Sequence, residues 1–240
     1  MSDVGYSDGT SRIIQGLAQA NLGTSRPVGL VRPESEKPHA YASPGRAIPP
    51  YSEPARSDDL IAEEKRLIER AISEGFFWNG DQVESVILSA VRISGGSEHD
   101  VYVVGKPPFT LIIRSTIEDS YGFRGRSPVQ YLKRLEDYNR VFPGLQIRMI
   151  GASHNSRGNG VLWTAQTFVE GREFREEKKL EQEMARRGWE RIDSAFDQQI
   201  RYRHLSSGVI IRDAHGGNVL LSRGQLFPID VIIDDVGTIQ

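Results

Sequence analysis

The chain has 240 residues, of which 26% are charged, a formal net charge of -2 and no cysteine. So balanced a charge offers no basic field for nucleic acid and no acidic excess for a basic partner, and the missing thiols exclude disulfides, thiolate nucleophiles and cysteine-ligated zinc. No apolar run is long enough to cross a bilayer and the N-terminus MSDVGYSDGT lacks the features of a signal peptide, so a soluble, cytoplasmic chain without membrane or nucleic-acid partners is expected.

Residues 1–56 hold seven of the twelve prolines and almost no apolar periodicity, which predicts a disordered tail or linker, with RIIQGLAQA at 12–20 at most a transient helix. Order is expected from Ser57, a helix cap followed by Asp58 and Asp59 beside the positive end of the helix dipole. Leu60, Ile61, Leu67, Ile68, Ala71 and Ile72 then recur at helical spacing, with Glu64 on the same stripe and Gly75 as the stop.

QVESVILSAVRIS at 82–94 reads as a strand, GGSEHD at 95–100 as a turn, and VYVV at 101–104 and FTLIIRS at 109–115 as two more strands joined by GKPP. Ser127 and Pro128 open a predicted helix to Phe142 whose Leu132, Leu135, Tyr138 and Phe142 share a face. Strands are predicted at 145–152 and 161–169, a connector near Glu170 and Gly171, a charged helix at 176–187 and a further helical stretch near 193–204. Short buried strands at 209–211, 219–221 and 227–233 close the pattern.

Between the first two of these short strands lies DAHGGN, residues 213–218, and Asp230 follows one turn later. An Asp opening such a loop can orient an attacking hydroxyl and take its proton; Asn218 and Asp230 offer the oxygen ligands that magnesium prefers; Gly216 and Gly217 let the backbone turn. Alone, DAHGGN is more often a simple turn, and Gly95 with Gly96 a simple hairpin. Asp213, His204 and His215 match no strong metal-ligand spacing, while Asp234, Asp235, His154 and the 177–187 run read as solvated positions.

DAHGGNVLLSRGQLFPID resembles the catalytic segment of protein-kinase-like phosphotransferases, including the aminoglycoside and choline kinase types. With GGSEHDVYVV, YLKRLEDYNRVFPGLQIRMIGA and TAQTFVEGREF, the chain over about residues 60–233 is most similar to the Ser/Thr/Tyr kinase domain found in polyvalent proteins of phages and conjugative elements. The resemblance implies an α+β, two-lobed fold: a small antiparallel sheet with one inserted helix at 57–170, and a reduced helical lobe with the catalytic loop at 171–240. It implies ATP and magnesium as cofactors and a hydroxyl acceptor on a protein or small molecule. Asp213 would be the base, Asn218 and Asp230 the metal ligands, Gly95 and Gly96 a cover for the phosphates, and Phe168, Val169 and Glu170 the adenine-binding connector.

Glu98 and His99 match the family text without an assigned role, and His215 is expected to brace the loop. Arg114 stands where most kinases carry a strand Lys that binds phosphates; Glu136 is expected as its ion-pair partner in preference to Gln130. Arg keeps the charge but changes reach and geometry, so a pseudokinase that binds nucleotide or protein without turnover is the second reading. Arg212 precedes the base as in many protein kinases, Ile211 replaces their His, and Val231 and Ile232 follow Asp230 with little room for an activation segment. A third reading places the function in the proline-rich segment, docked to a partner that recognises extended prolines.

Overall fold

The computed structural model describes residues 58–95, 98–106, 109–117, 121, 127–192 and 199–236. The expected tail, the Ser57 cap and Gly96 lie outside these residues.

Helix α1 (Asp58–Ser73) buries Ile68 and Ala71, and with them Glu64, because the Tyr121 hydroxyl donates to the Glu64 carboxylate and to the Gly160 carbonyl at 3.1 Å. A side chain at 160 would strike both partners: its Cβ would lie 2.7 Å from Glu64 Cγ and 2.9 Å from the Tyr121 hydroxyl. Helix α2 (Gly80–Leu88) replaces the first half of the strand expected at 82–94. Asn79 and Gln82 form a reciprocal capping box, and Val86 is the side chain the helix buries.

A five-stranded antiparallel sheet follows, in the order β1 (Ala90–Gly95), β2 (His99–Lys106), β3 (Phe109–Thr116), β5 (Gly160–Thr167), β4 (Arg148–His154). Alternation along the strands sorts its residues onto two faces. Tyr102, Val104, Ile113, Val161, Trp163 and Ala165 meet Trp78 and Val86 in one apolar cluster. His99, Arg114, Thr164 and Gln166, one residue out of phase, face the other way and are all buried. Against that second face packs α3 (Pro128–Val141), capped by Ser127 and Gln130 and burying Tyr131, Leu135 and Tyr138.

Beyond the connector at 168–171, the described residues carry one helix, α4 (Glu177–Ala185), and two small antiparallel sheets. The expectation of mainly helical structure beyond residue 171 is therefore corrected: the described residues there are mostly strand. Arg201–His204, expected as helix, is strand β8, and residues 193–198 lie outside the described set. One sheet runs β11 (Gln225–Pro228), β10 (Val219–Ser222), β6 (Arg172–Glu173); the other runs β12 (Ile232–Asp235), β9 (Ile210–Arg212), β8, β7 (Trp189–Ile192). The β10–β11 hairpin turns on Arg223 and Gly224, both with positive φ, as a two-residue turn matched to strand twist requires. A continuous buried cluster joins Ile68 and Tyr138 to Leu180, Tyr202, Ile211 and Val219. No helix among the described residues is long and apolar enough to cross a membrane.

Candidate active site

Strand β9 ends at Arg212, and Asp213 turns the chain sharply with a φ of +58°. Such a conformation is costly for a residue with a Cβ and persists where its surroundings hold it. Four hydrogen bonds hold the loop here. The Asn218 amide donates to the Asp213 carbonyl at 2.8 Å and to its carboxylate at 3.2 Å. The Asn218 N–H donates to the His215 carbonyl at 2.9 Å, and the Gly217 N–H to His215 Nδ1 at 3.1 Å. Because Nδ1 accepts, the neutral ring carries its proton on Nε2, 3.8 Å from Asp213 Oδ1. His215 thus braces the loop.

Gly216 ties the loop to the chain just beyond β6. Its carbonyl accepts from the Phe174 N–H at 3.1 Å, and a Cβ there would lie 1.9 Å from the Phe174 carbonyl oxygen. No side chain fits that approach.

Asp230 hangs from the same loop. The Asn218 carbonyl accepts from the Ile229 N–H at 2.8 Å and the Asp230 N–H at 3.4 Å. The outward carbonyls of the preceding residues are taken by the sheet and by α3: Tyr138 donates to Pro228 at 2.6 Å and Arg114 Nη2 to Ile229 at 3.0 Å. Gln166 supports Tyr138 at 3.2 Å, and burial pushes the Tyr138 hydroxyl up to about 12, so it stays a donor. These bonds divide the strand expected at 227–233 into β11 and β12, with residues 229–231 between them.

Arg114 is buried at 8% exposure, not pointing to solvent, and its donated bond goes to a carbonyl. Glu136 lies on the exposed side of α3, so the expected Arg114–Glu136 pair is not formed. The inward positions of that helix are 131, 134, 135 and 138, which puts Arg134 where an acidic partner was expected. Arg134 pairs with Glu98 at 3.0 Å and lies 3.8 Å from Asp230 Oδ1. Burial raises the Glu98 carboxyl above its ordinary range in spite of Arg134. His99 meets the Tyr131 hydroxyl at 3.1 Å; burial and, next, the Arg114 charge lower it to about 4, so it is neutral near pH 7. His99, Arg114, Tyr131, Arg134 and Asp230 line one narrow cavity of about 20 Å³.

The connector is also engaged. Phe168 donates from its backbone to Thr110 at 3.1 Å, and its side chain is 41% exposed; Val169 packs on the core; the Glu170 carbonyl accepts from the Ser222 hydroxyl at 2.5 Å. A groove of about 640 Å³ runs along Glu170–Arg172 and Leu221–Gly224. Gly95 ends β1 opposite Asp100. Asp234, expected on a solvated face, instead pairs with Arg212 at 2.7 Å and Arg201 at 3.5 Å.

No group of three or more His, Asp or Glu side chains suited to a metal occurs among the described residues. The donor set nonetheless fits a magnesium ion that takes few protein ligands. With its nitrogen committed to Asp213, the Asn218 amide has its oxygen left for a cation, and the Asp230 side chain is half exposed at 47%.

A family model described as Serine/Threonine/Tyrosine Kinase found in polyvalent proteins matches residues 61–234. The chain belongs to that kinase family. No curated protein matches it, and no solved structure does.

Proposed function

We propose that the protein transfers the γ-phosphoryl group of ATP to a hydroxyl acceptor. The observation that carries this reading is Asn218: its side-chain NH2 fixes the Asp213 carboxylate, its main-chain carbonyl suspends Asp230, and its side-chain oxygen is left for a cation. Asn218 and Asp230 would hold magnesium, which supplies charge neutralisation on the phosphates. Asp213 accepts the proton of the acceptor hydroxyl as its oxygen bonds to the γ-phosphorus, while the bond to the β-phosphate bridge breaks and ADP leaves. Arg114 supplies fixed positive charge beside Asp230, Gly95 at the end of β1 lies over the phosphates, and Phe168 and Val169 border the adenine in a cleft between two lobes. The Glu170 carbonyl accepts from Ser222 and keeps a second lone pair, beside the Glu170 N–H, for the nucleotide.

Transfer from radiolabelled ATP in the presence of magnesium tests the reading: Asp213→Ala should lose about 10²–10⁴-fold in rate while still binding nucleotide. Undiminished transfer by that variant removes Asp213 from the mechanism. The bond from Arg114 to the Ile229 carbonyl favours the second reading, a pseudokinase, because that guanidinium is engaged by the backbone. Nucleotide binding without any magnesium-dependent transfer by the unaltered chain would decide for it.

A further inference from the structure

Arg134 has no part in the reading above, yet it holds the most consequential position on α3. Its guanidinium is 11% exposed, shares the narrow cavity with Arg114, and stands between two carboxylates, Glu98 at 3.0 Å and Asp230 at 3.8 Å. Glu98 immediately precedes β2, so its ion pair with Arg134 links the start of that strand to α3, and the approach of Arg134 to Asp230 adds the segment between β11 and β12. His99 is uncharged, and the positive charge of the cavity is therefore that of the two arginines alone. The two carboxylates balance it.

Near-zero net charge of that kind is stable without ligand, but Asp230 is the half-exposed, weaker partner of the two. A polyanion arriving at Asp230 with its own cation would leave the guanidinium facing phosphate oxygens, for which its planar fork is better suited than an ammonium. A helix cation in this position reverses the polarity expected from an acidic residue pairing with the strand cation. Arg114 and Arg134 then act from two sides, one from β3 and one from α3.

We propose that Arg134 is a second phosphate-binding residue for a nucleoside triphosphate, held in place by Glu98. This rests on the nucleotide-binding reading, and Glu98 is a positioning residue that acts through Arg134.

Calorimetric titration of the full chain with MgATP, alongside competition by adenosine, separates the two. Arg134→Gln should bind MgATP about 10–100-fold more weakly, the loss of a charge-assisted contact, with adenosine affinity held within about twofold. Arg134→Lys keeps the charge and should fall between, which also serves if the Gln variant does not fold. Glu98→Gln should weaken MgATP binding in the native background and add nothing to Arg134→Gln. Unchanged MgATP affinity in both Arg134 variants, or parallel losses for MgATP and adenosine, would overturn the assignment while leaving nucleotide binding intact. An unaltered chain that binds no MgATP would overturn both.

Discussion

The two faces of the five-stranded sheet are built from the same strands and do opposite work. One is apolar: Trp163 lies 5.3 Å from Trp78 and 6.3 Å from Tyr102, centroid to centroid, with Ile113, Val104 and Val161 around them. The other carries His99, Arg114, Thr164 and Gln166, buried beside Tyr131 and Tyr138. Burying apolar surface stabilises without regard to direction, whereas each buried polar group costs free energy until it finds a partner. The second face therefore fixes directions. Arg114 from this face and Tyr138 from α3 donate to the carbonyls of Ile229 and Pro228, and so determine where Asp230 stands.

Truncating the centre of the apolar face should have the largest effect. Trp163→Ala is expected to cost about 3–5 kcal/mol in denaturant unfolding, through a cavity beneath Trp78 and Tyr102. On the polar face, Tyr138→Phe leaves the buried Pro228 carbonyl and the Gln166 amide short of a partner and should cost about 1–3 kcal/mol. The same variant should lower phosphoryl transfer beyond its effect on stability, because Asp230 is then less well held; a loss of stability with unchanged transfer would deny that the polar face positions the site. The effect that is smallest near pH 7 is confined to acid. His99 has a folded value of about 4 against an ordinary value of 6.5, so between them the unfolded chain binds a proton that the folded chain does not. Stability should decline as the pH falls through that window, and His99→Gln should flatten the decline in thermal unfolding measured at its two ends.

Much of this was open to reading in the residues. The Ser127–Pro128 start, the strands around 101–104, 109–115 and 161–167, and the polar loop all declare themselves by spacing and by turn chemistry. Helix α2 did not, although Asn79 and Gln82 mark a capped helix start, because Val83, Val86, Ile87 and Leu88 are as suited to a strand. The 201–204 strand escaped notice because RYRH buries only Tyr202 fully and shows its charged neighbours at the surface or edge.

Arg134 is the instructive omission. Three residues after Tyr131 and four before Tyr138, it falls on the buried stripe, and that spacing was available from the start. A lone arginine on a helix reads as a solvated residue, whereas Glu136 offers the acidic partner expected for Arg114, and the helix turns Glu136 outward. What reveals Arg134 is its pair of acidic neighbours, brought in from the residue before β2 and from the segment between β11 and β12. Sequence separation of 36 residues from Glu98 hides one of them.

The interlock between Gly216 and Phe174 has a practical consequence for anyone recombining this domain with others. Because the Phe174 carbonyl, 42 residues upstream, fills the room a methyl group would need, the 213–218 loop and the strip GREF form one mechanical part. A chimera whose crossover falls between residues 174 and 216 would inherit mismatched halves of that part, so exchange of the two segments together is the boundary that respects it.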